Sequence, residues 1–354
     1  MEYSNKLLLK GNEAVVYGAL LAGCDCFFGY PITPASEIAQ TAAEKFPALG
    51  RTFLQAECET ASINMVMGAA AAGRRVMTAS SGLGISLKQE GVSYIATMEL
   101  PCVIIDVMRG GPGLGNIAPE QSDYNQITKG GGHGGYKVIV LAPGSAQEMC
   151  DFAGLAFELA DKYRTPVYVL TDGVVGQMLE AVTLPEPSPR RESPDWALDF
   201  NVNPRSNYLT SIYMESNDLE QVNIHLNEKY ARIEAQEQRC EEYLAEDADF
   251  IMAGFGICGR VIRTAAERLR AEGIRAGVLR PLTLFPFPKD AFRKHAGHVR
   301  SFVSVEMNNG QMIDDIKLAT DCARPVSLVN RMGGNLITVD DVVRHVRQLA
   351  QGGK

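Results

Sequence analysis

The loop after the first predicted strand carries side chains able to bind a ligand. It reads Gly29-Tyr-Pro-Ile-Thr-Pro-Ala-Ser-Glu, and its two prolines, three positions apart, make it stiff. In open α/β sheets, ligands bind beyond the carboxyl ends of the strands, where this loop would lie. Thr33 offers a hydroxyl there, and Ser36 is placed to cap the next helix. The alternative is a plain strand-to-helix connection, since most loops only connect.

A carboxylate stands where the second predicted strand passes into a helix, in the segment Phe53-Leu-Gln-Ala-Glu57-Cys-Glu59. Acidic residues favour the first turn of a helix through its dipole, by about 0.3–1 kcal/mol, which would explain Glu57 without any function. The other interpretation is a buried carboxyl group aimed at a ligand nitrogen. Apolar neighbours such as Phe53 and Ile63 are compatible with that burial.

A glycine-rich loop, Met108-Arg109-Gly-Gly-Pro-Gly-Leu-Gly, follows the most hydrophobic predicted strand. Glycine-rich backbone can approach a ligand closely or act as a mobile lid. Arg109, at the end of a buried strand, is placed to clamp a carboxylate through two parallel hydrogen bonds. A second glycine cluster at 130–135 closes this long loop, and a long irregular loop in a compact domain favours a functional role.

The segment Gly254-Phe-Gly-Ile-Cys-Gly259 fits the GxGxxG pattern of dinucleotide sites. That pattern requires an acidic residue about 20 positions on, where this chain has Arg280. A nicotinamide dehydrogenase is therefore disfavoured. Glycines needed for tight strand–helix packing are the favoured explanation, and a pyrophosphate or CoA phosphate at the helix N-terminus stays open.

Composition narrows the function further. The 354 residues include 34 Lys and Arg against 42 Asp and Glu, a net charge of −8, which argues against a nucleic-acid partner. No apolar run is long enough for a membrane span, and the first residues do not resemble a signal peptide. The eight cysteines form no CxxC pair, and His295 and His298 lack a carboxylate–histidine pattern, so we expect no metal site here. Reduced thiols in a cytoplasmic protein are expected.

Strand and helix patterns alternate over the chain, which predicts an α/β fold with a doubly wound, mainly parallel sheet and a smaller C-terminal α/β domain. We divide it into a domain at 1–183, a proline-rich linker and polar helix at 184–246, and a second domain at 247–354. Prolines at 185, 187, 189 and 194 indicate a segment that resists packing. The helix, near 217–245, has one apolar stripe that would dock on another surface, such as another subunit; the stripe comprises Leu219, Val222, Leu226, Tyr230 and Ile233.

Three motifs together resemble one family. Gly29-Tyr-Pro-Ile-Thr-Pro, then Gln55-Ala-Glu57, then Met108-Arg109-Gly-Gly-Pro recur in this order in the α-type, pyrimidine-binding subunits of the 2-oxoacid:ferredoxin oxidoreductases, which use thiamine diphosphate. The resemblance extends over nearly the whole chain and implies a thiamine-diphosphate pyrimidine domain followed by a transketolase-C-like domain. The stretch 89–102 is most similar to the branched-chain 2-oxoisovalerate (VorB-type) subunits, with the 2-oxoglutarate (KorA-type) subunits close behind.

The resemblance also implies residue roles. Glu57 would hydrogen-bond the aminopyrimidine ring of thiamine, and for this it should be buried in surroundings that favour its protonated form. Thr33 and Arg109 would bind the substrate carboxylate. The other cofactor-binding residues would be Pro31, Ile32 and Ser81.

Half of a cofactor site is missing from the sequence. Thiamine enzymes hold Mg²⁺ and diphosphate with Gly-Asp-Gly followed by Asn-Asn, and this chain has Asn308-Asn309 without the first part; Thr171-Asp172-Gly173 only resembles it. The resemblance therefore implies a β-type subunit for the diphosphate half, with Mg²⁺ and iron–sulfur clusters in partner subunits. A γ subunit, a ferredoxin-like subunit and coenzyme A as co-substrate complete this expectation. Other open readings are a 2-oxoglutarate enzyme, a non-oxidative thiamine decarboxylase, disfavoured by length, and a non-catalytic nucleotide- or CoA-binding regulatory subunit.

Overall fold

A computed structural model describes residues 6–189, 192–199, 201, 203, 205 and 207–352. Strands and helices alternate through the first part of the chain. The elements there are β1 (Lys6–Lys10), α1 (Gly11–Leu21), β2 (Cys26–Gly29), α2 (Ser36–Ala48), β3 (Thr52–Gln55), α3 (Glu59–Ala71), β4 (Val76–Ser80), α4 (Leu83–Thr97), β5 (Cys102–Met108), α5 (Tyr124–Thr128), β6 (Ile139–Leu141), α6 (Ala146–Tyr163), β7 (Pro166–Asp172), α7 (Gly173–Gln177) and β8 (Leu179–Thr183).

The second part of the chain begins with a long helix and then alternates again. Its elements are α8 (Ser216–Gln236), β9 (Cys240–Tyr243), β10 (Phe250–Ala253), α9 (Ile257–Ala271), β11 (Ala276–Pro281), β12 (Thr283–Phe285), α10 (Lys289–Ala296), β13 (Ser301–Glu306), α11 (Met312–Ala319), β14 (Val326–Asn330) and α12 (Val339–Gln351). Among the residues described, no helix combines the length and apolar character needed to cross a membrane.

The large sheet has seven strands in the order β12-β6-β7-β5-β4-β2-β3. Every neighbouring pair in it is parallel except β12 with β6. Helices α1, α2 and α6 bury one face of the sheet, and α3 and α4 bury the other. This is the doubly wound sheet that the sequence predicts, and its central strand β5 is buried at all seven positions because both faces are covered.

The second sheet has five strands in the order β14-β13-β10-β11-β9, with only β9 antiparallel. Helices α9 and α12 pack on one of its faces around a core of their own. Helices α10 and α11 pack on the other side, in an apolar cluster that continues into the large sheet's core. The predicted smaller α/β unit is therefore present, and its core joins that of the first.

Helix α8 docks on the first part of its own chain, so the expectation of another subunit is wrong for the inner part of its stripe. Leu226, Tyr230 and Ile233 are buried in the core formed with α1 and α6. The ammonium of Lys229 on α8 donates to Glu99, at 3.0 Å, which fixes the helix from the polar side. The helix ends at Gln236, short of the predicted 245, because the chain then forms β9 at the edge of the second sheet.

The proline-rich segment is exposed at residues 185–189, and the residues that follow it pack on the first part of the chain. The backbone N–H of Leu198 donates to the carbonyl of Ala71 at the end of α3, at 2.8 Å. Ala197 is fully buried beside it. The predicted lack of packing therefore does not extend to Ala197, which fills the space over Gly73.

Candidate active site at the carboxyl edge of the large sheet

The predicted site residues follow four adjacent strands. Glu57 follows β3, the segment of Pro31 and Thr33 follows β2, Ser81 follows β4 and Arg109 follows β5. Because β5, β4, β2 and β3 are parallel neighbours, their carboxyl ends lie at one edge of the sheet.

Arg109 connects two of the predicted segments. Its side chain is 9% exposed. Its Nη1 donates to the backbone carbonyl of Thr33 and its Nη2 to that of Leu114, each at 3.0 Å. Two of the five guanidinium N–H groups are thus used to fix the two loops, and the others remain for a ligand. The structure therefore joins the β2 loop and the glycine-rich loop through this one side chain.

Glu57 is exposed in this chain, so its predicted burial is wrong for the chain by itself. It lies two residues before α3, where the Cys58 sulfur accepts a hydrogen bond from the backbone N–H of Ala61 and caps the helix. Pro31 and Thr33 are also exposed, and Ile32 is half-buried. These residues form an open surface because nothing in the described chain folds over the end of β3.

Ser81 lies below that surface. Its side chain is fully buried, and its hydroxyl has no hydrogen-bond partner among the described residues. The next residue, Gly82, has φ +45°, a conformation that favours glycine, and it turns the chain into α4.

A cavity of about 750 Å³ opens beside Arg109. It lies between the carboxyl edge of the large sheet and the loops of the second sheet that carry Asn308 and Met332. Arg109 is the single cationic residue among the described lining residues, and Glu120 and Asp123 are the acidic ones. The cavity therefore offers one cation, which can bind one carboxylate group of a ligand.

The loop between β5 and α5 is fixed at several points. Glu120 is 3% exposed; one carboxylate oxygen accepts from the N–H of Gly111 and the other from that of Gly333, both at 2.9 Å. The Asn116 amide donates to the carbonyl of Gly333, at 3.1 Å. This long loop is therefore attached to the second sheet's loops and forms a fixed wall of the cavity.

The sequence analysis missed two buried carboxyl groups at this wall, of which Asp123 lines the cavity and Asp106 lies behind it. Asp106 on β5 is fully buried, and Asp123 is 8% exposed. Burial, together with the neighbouring Asp123, raises the pKa of Asp106 well above its usual value, and burial raises the pKa of Asp123 to about 6. A signal existed, because Asp106 is the one charged residue in the otherwise apolar run 101–108.

Lys88 on α4 is a second missed residue. It is fully buried, and its ammonium donates to the hydroxyls of Ser62 on α3 and Thr78 on β4. Desolvation by burial lowers its pKa to about 8. It lies inside the packing of α3, the helix that Glu57 precedes.

The Gly254–Gly259 segment serves packing, as the favoured explanation predicted. A side chain at Gly256, where φ is +56°, would lie 2.3 Å from a carboxylate oxygen of Asp172. That same oxygen accepts from the backbone N–H of Ile257 at the start of α9, at 2.9 Å. The N-terminus of α9, which the sequence leaves open as a phosphate site, is thus occupied by the carboxylate of Asp172 from the large sheet.

Asp172 and Asn308 have structural contacts rather than the arrangement of a diphosphate motif. Asp172 is fully buried and also accepts from the backbone of α7 and from Gln121. The Asn308 side chain donates to the Gln121 carbonyl at 2.9 Å and accepts from Gly310 at 2.7 Å. Both side chains therefore hold the two sheets and their loops together.

A carboxylate–histidine cluster does form away from the site, at Glu242, Glu246 and His295. The sequence analysis did not predict this cluster, because about 50 positions separate the histidine from the two carboxylates. Lys294 donates to both carboxylates, at 3.0 and 2.6 Å, so the cluster is part of an ion-pair network.

The family matches define the class of this α/β chain as thiamine-diphosphate-binding. Residues 17–242 match the family described as pyruvate flavodoxin/ferredoxin oxidoreductase, thiamine diphosphate-binding. Residues 248–342 match pyruvate:ferredoxin oxidoreductase core domain II. The chain belongs to this family, as an α-type subunit of the 2-oxoacid:ferredoxin oxidoreductases.

Individual relatives show which members of the family the chain resembles. The chain is 60% identical to the ketoisovalerate oxidoreductase subunit VorB of Methanothermobacter thermautotrophicus over 97% of each chain. It is 40% identical to the 2-oxoglutarate synthase subunit KorA of Archaeoglobus fulgidus over 89% of this chain and 92% of that one.

Among solved structures, a 2-oxoglutarate:ferredoxin oxidoreductase from Magnetococcus marinus, with 2-oxoglutarate, coenzyme A and succinyl-CoA bound, is similar at a TM-score of 0.86 and 27% identity. The match covers 98% of this chain and 66% of that one. A split-gene transketolase, at a TM-score of 0.61 and 16% identity, shares the fold.

Proposed function

We propose that the chain is the pyrimidine-binding subunit of a thiamine-diphosphate-dependent 2-oxoacid:ferredoxin oxidoreductase acting on branched-chain 2-oxoacids. The reaction converts a 2-oxoacid such as 3-methyl-2-oxobutanoate and coenzyme A into acyl-CoA and CO₂, and reduces ferredoxin. The observation that carries the proposal is Arg109, which is fixed at the carboxyl edge and faces a 750 Å³ cavity. The 60% identity to a ketoisovalerate oxidoreductase subunit supports the branched-chain assignment.

The charges of the cavity support a monocarboxylic substrate. Arg109 provides one cation for the carboxylate next to the keto group. Glu120 and Asp123 also line the cavity, and a second carboxylate on the substrate would be repelled by them. A branched aliphatic side chain has no such charge, so this lining favours it over a dicarboxylate such as 2-oxoglutarate.

The exposed surface around Glu57 fits the pyrimidine half of thiamine diphosphate. Glu57 would accept or donate the hydrogen bond at the ring nitrogen, and Pro31 and Ile32 would shape the pocket, with Ser81 beneath. Apolar Tyr30 and Leu54, at 40% and 42% exposure, lie on the same β2 and β3 ends. When bound, the cofactor supplies the electron sink for decarboxylation, and the chain supplies placement and the carboxylate clamp of Thr33 and Arg109.

We infer that partner subunits complete the enzyme. The open surface at Glu57 and Pro31 would be covered by a β-type subunit that brings the diphosphate half and its Mg²⁺. Iron–sulfur clusters would lie in partner subunits, among them a ferredoxin-like one, and a γ subunit would complete the complex. The eight cysteines here are free thiols, which supports a reducing, cytoplasmic setting.

The test is anaerobic turnover of the complex co-purified with its partners. Reduction of a low-potential dye is measured against 3-methyl-2-oxobutanoate, 2-oxoglutarate and pyruvate, with and without coenzyme A and thiamine diphosphate. We expect reduction to require both cofactors and kcat/KM to be highest for 3-methyl-2-oxobutanoate. Dye reduction that requires neither cofactor would contradict the proposal, and so would the absence of dye reduction with every 2-oxoacid tested.

A 2-oxoglutarate enzyme is the second candidate. The 40% identity to a 2-oxoglutarate synthase subunit and the 0.86 TM-score to a 2-oxoglutarate enzyme favour it. The same substrate panel decides between the two candidates. A preference for 2-oxoglutarate would contradict the charge argument above, because the described cavity lining has no second cation for the second carboxylate of that substrate.

A further inference from the structure

Two carboxyl groups lie against each other behind the cavity wall. Neither carboxyl oxygen of Asp106, nor the Oδ2 of Asp123, has a hydrogen-bond partner among the described residues unless a proton lies between the two groups. Carboxylate oxygens only accept hydrogen bonds, so a bond between two carboxyl groups requires one of them to carry a proton. Asp123 reaches the cavity, and Asp106 is sealed behind it.

The surroundings of this pair contain few other charges. The backbone N–H of Gly82, in the turn after β4, lies near both carboxyl groups and lowers the pKa of each. Arg109 and Glu120 are the charged groups near Asp123, and Glu120 is already held by two backbone N–H groups. From β7, Tyr168 faces Asp106; burial raises the pKa of this phenol well above its usual value, so it stays neutral.

We propose that the Asp106–Asp123 pair shares one proton at neutral pH and sets the charge that faces Arg109, which makes Asp123 a determinant of substrate-carboxylate affinity. This inference rests on the proposed function, because it takes Arg109 as the group that binds the 2-oxoacid carboxylate. Asp123 is a positioning residue in this role, since it acts on the substrate through the field at Arg109.

The direction of the effect follows from the order of the two protons. Burial raises the pKa of Asp123 to about 6 and holds that of Asp106 higher. As pH rises through about 6, Asp123 loses its proton, while the sealed Asp106 keeps its own. A negative charge then appears beside Arg109 and weakens the binding of an anion there. The substrate carboxylate is ionised throughout, so it does not contribute to this change.

The measurement is KM for 3-methyl-2-oxobutanoate from about pH 5.5 to pH 8 in the co-purified complex. The wild type should show KM rising about three- to tenfold across this range. Asp123→Asn removes the charge and should hold KM at the low value throughout. Asp106→Asn puts a neutral amide where the wild type has a neutral, protonated carboxyl, so Asp123 still titrates and KM should still rise across this range. The two variants thus show whether the pH dependence of KM comes from the charge of Asp123.

Asp314→Asn is the matched control, because it removes the same charge from an exposed position on α11. Its profile should follow the wild type. If all four proteins turn over and their KM profiles run parallel, the inference is overturned while the proposed function stands. If none reduces the dye with any 2-oxoacid, the proposed function itself fails.

A second readout does not depend on turnover. An acid whose pKa is raised in the folded state stabilises the fold below its unfolded pKa, and this stability is lost as pH rises through the folded value. The pH dependence of unfolding between about pH 4 and pH 7 should therefore be shallower in Asp123→Asn than in the wild type. Equal slopes in the two proteins would contradict the shared proton, even if Asp106→Asn failed to assemble.

Discussion

The carboxylate of Asp172, at the end of β7, accepts a hydrogen bond from the backbone N–H of Ile257, the first residue of α9, at 2.9 Å. A strand end of the large sheet thus caps a helix of the second sheet. Since a carboxylate already satisfies this helix N-terminus, an anionic ligand would have to displace it. A nucleotide-binding regulatory subunit, which rested on this segment, loses its support.

Replacing Asp172 should destabilise the chain strongly. Asp172→Ala would leave the buried N–H of Val175 and the part-buried N–H groups of Val174 and Ile257 without this acceptor, at a cost of about 3 kcal/mol or more in the free energy of unfolding. Denaturant unfolding measures this. Asp290→Ala, at an exposed position, should change stability by under about 0.5 kcal/mol, and equal effects of the two variants would contradict the capping role.

Gly256 should tolerate no side chain. In Gly256→Ala the new methyl would stand 2.3 Å from Asp172 at φ +56°, so we expect a loss of at least about 2 kcal/mol in the free energy of unfolding. Gly297→Ala is the matched control, since φ is −68° there and no atom lies within 4 Å. Thermal unfolding of both proteins gives the comparison. A Gly256→Ala protein as stable as the control would show that the close approach is absent in solution.

Glu57→Gln should slow turnover strongly without weakening the fold. The amide cannot exchange the proton that the proposed role requires, so we expect kcat in the assembled enzyme to fall about 10²- to 10⁴-fold. Because Glu57 is exposed, unfolding should shift by under about 0.5 kcal/mol. Glu44→Gln, on the exposed side of α2, controls for the loss of a surface charge. Unchanged kcat in Glu57→Gln would refute the role.

Arg109→Lys should weaken substrate binding more than the chemical step. A lysine cannot make the two-pronged carboxylate contact and would also release Thr33 or Leu114, so kcat/KM should fall about 10- to 100-fold, mostly through KM. Steady-state kinetics on 3-methyl-2-oxobutanoate measure this. Arg268→Lys, exposed on α9, serves as the control. A fall in kcat at constant KM would argue against the carboxylate clamp.

Lys88 should give stability an unusual dependence on alkaline pH. Its folded-state pKa of about 8 lies below the usual 10.5, so the folded protein releases this proton first, and stability should rise between about pH 8 and pH 10. The shift corresponds to a gain of at most about 3 kcal/mol. Lys88→Met should lack this rise, and Lys289→Met, at an exposed position, should retain it. Denaturant unfolding at several pH values distinguishes them; a rise retained in Lys88→Met would contradict the assignment.

Local patterns predicted much of the fold and the position of the candidate site residues after parallel strands. The apolar run of β5 and the alternation around it indicated the doubly wound sheet, and each candidate loop does follow a parallel strand. The exposure of Glu57 could not be predicted, because it depends on whether any part of the chain reaches over β3. The docking surface of α8 could not be predicted either, because an apolar stripe indicates that a helix packs on something but does not identify the surface.

Contacts between distant segments could not be predicted from the sequence either, because they depend on the three-dimensional packing. Asp106 and Asp123 meet only because the loop after β5 folds back over its own strand. Asp172 and Ile257 are 85 positions apart, and their contact depends on how the two sheets pack. Spacing along the chain carries no information about such pairs.

The placement of β12 limits how this protein can be divided. Its residues Thr283–Phe285 come after three strands of the second sheet, yet they pair with β6 at the edge of the large one. A cut anywhere between β8 and β12 would remove the edge strand β12 from the large sheet. That strand would then lie on a fragment that lacks its partner β6. The chain is therefore not modular in the way its two family matches suggest: neither half can be exchanged with a relative's without also rebuilding that edge.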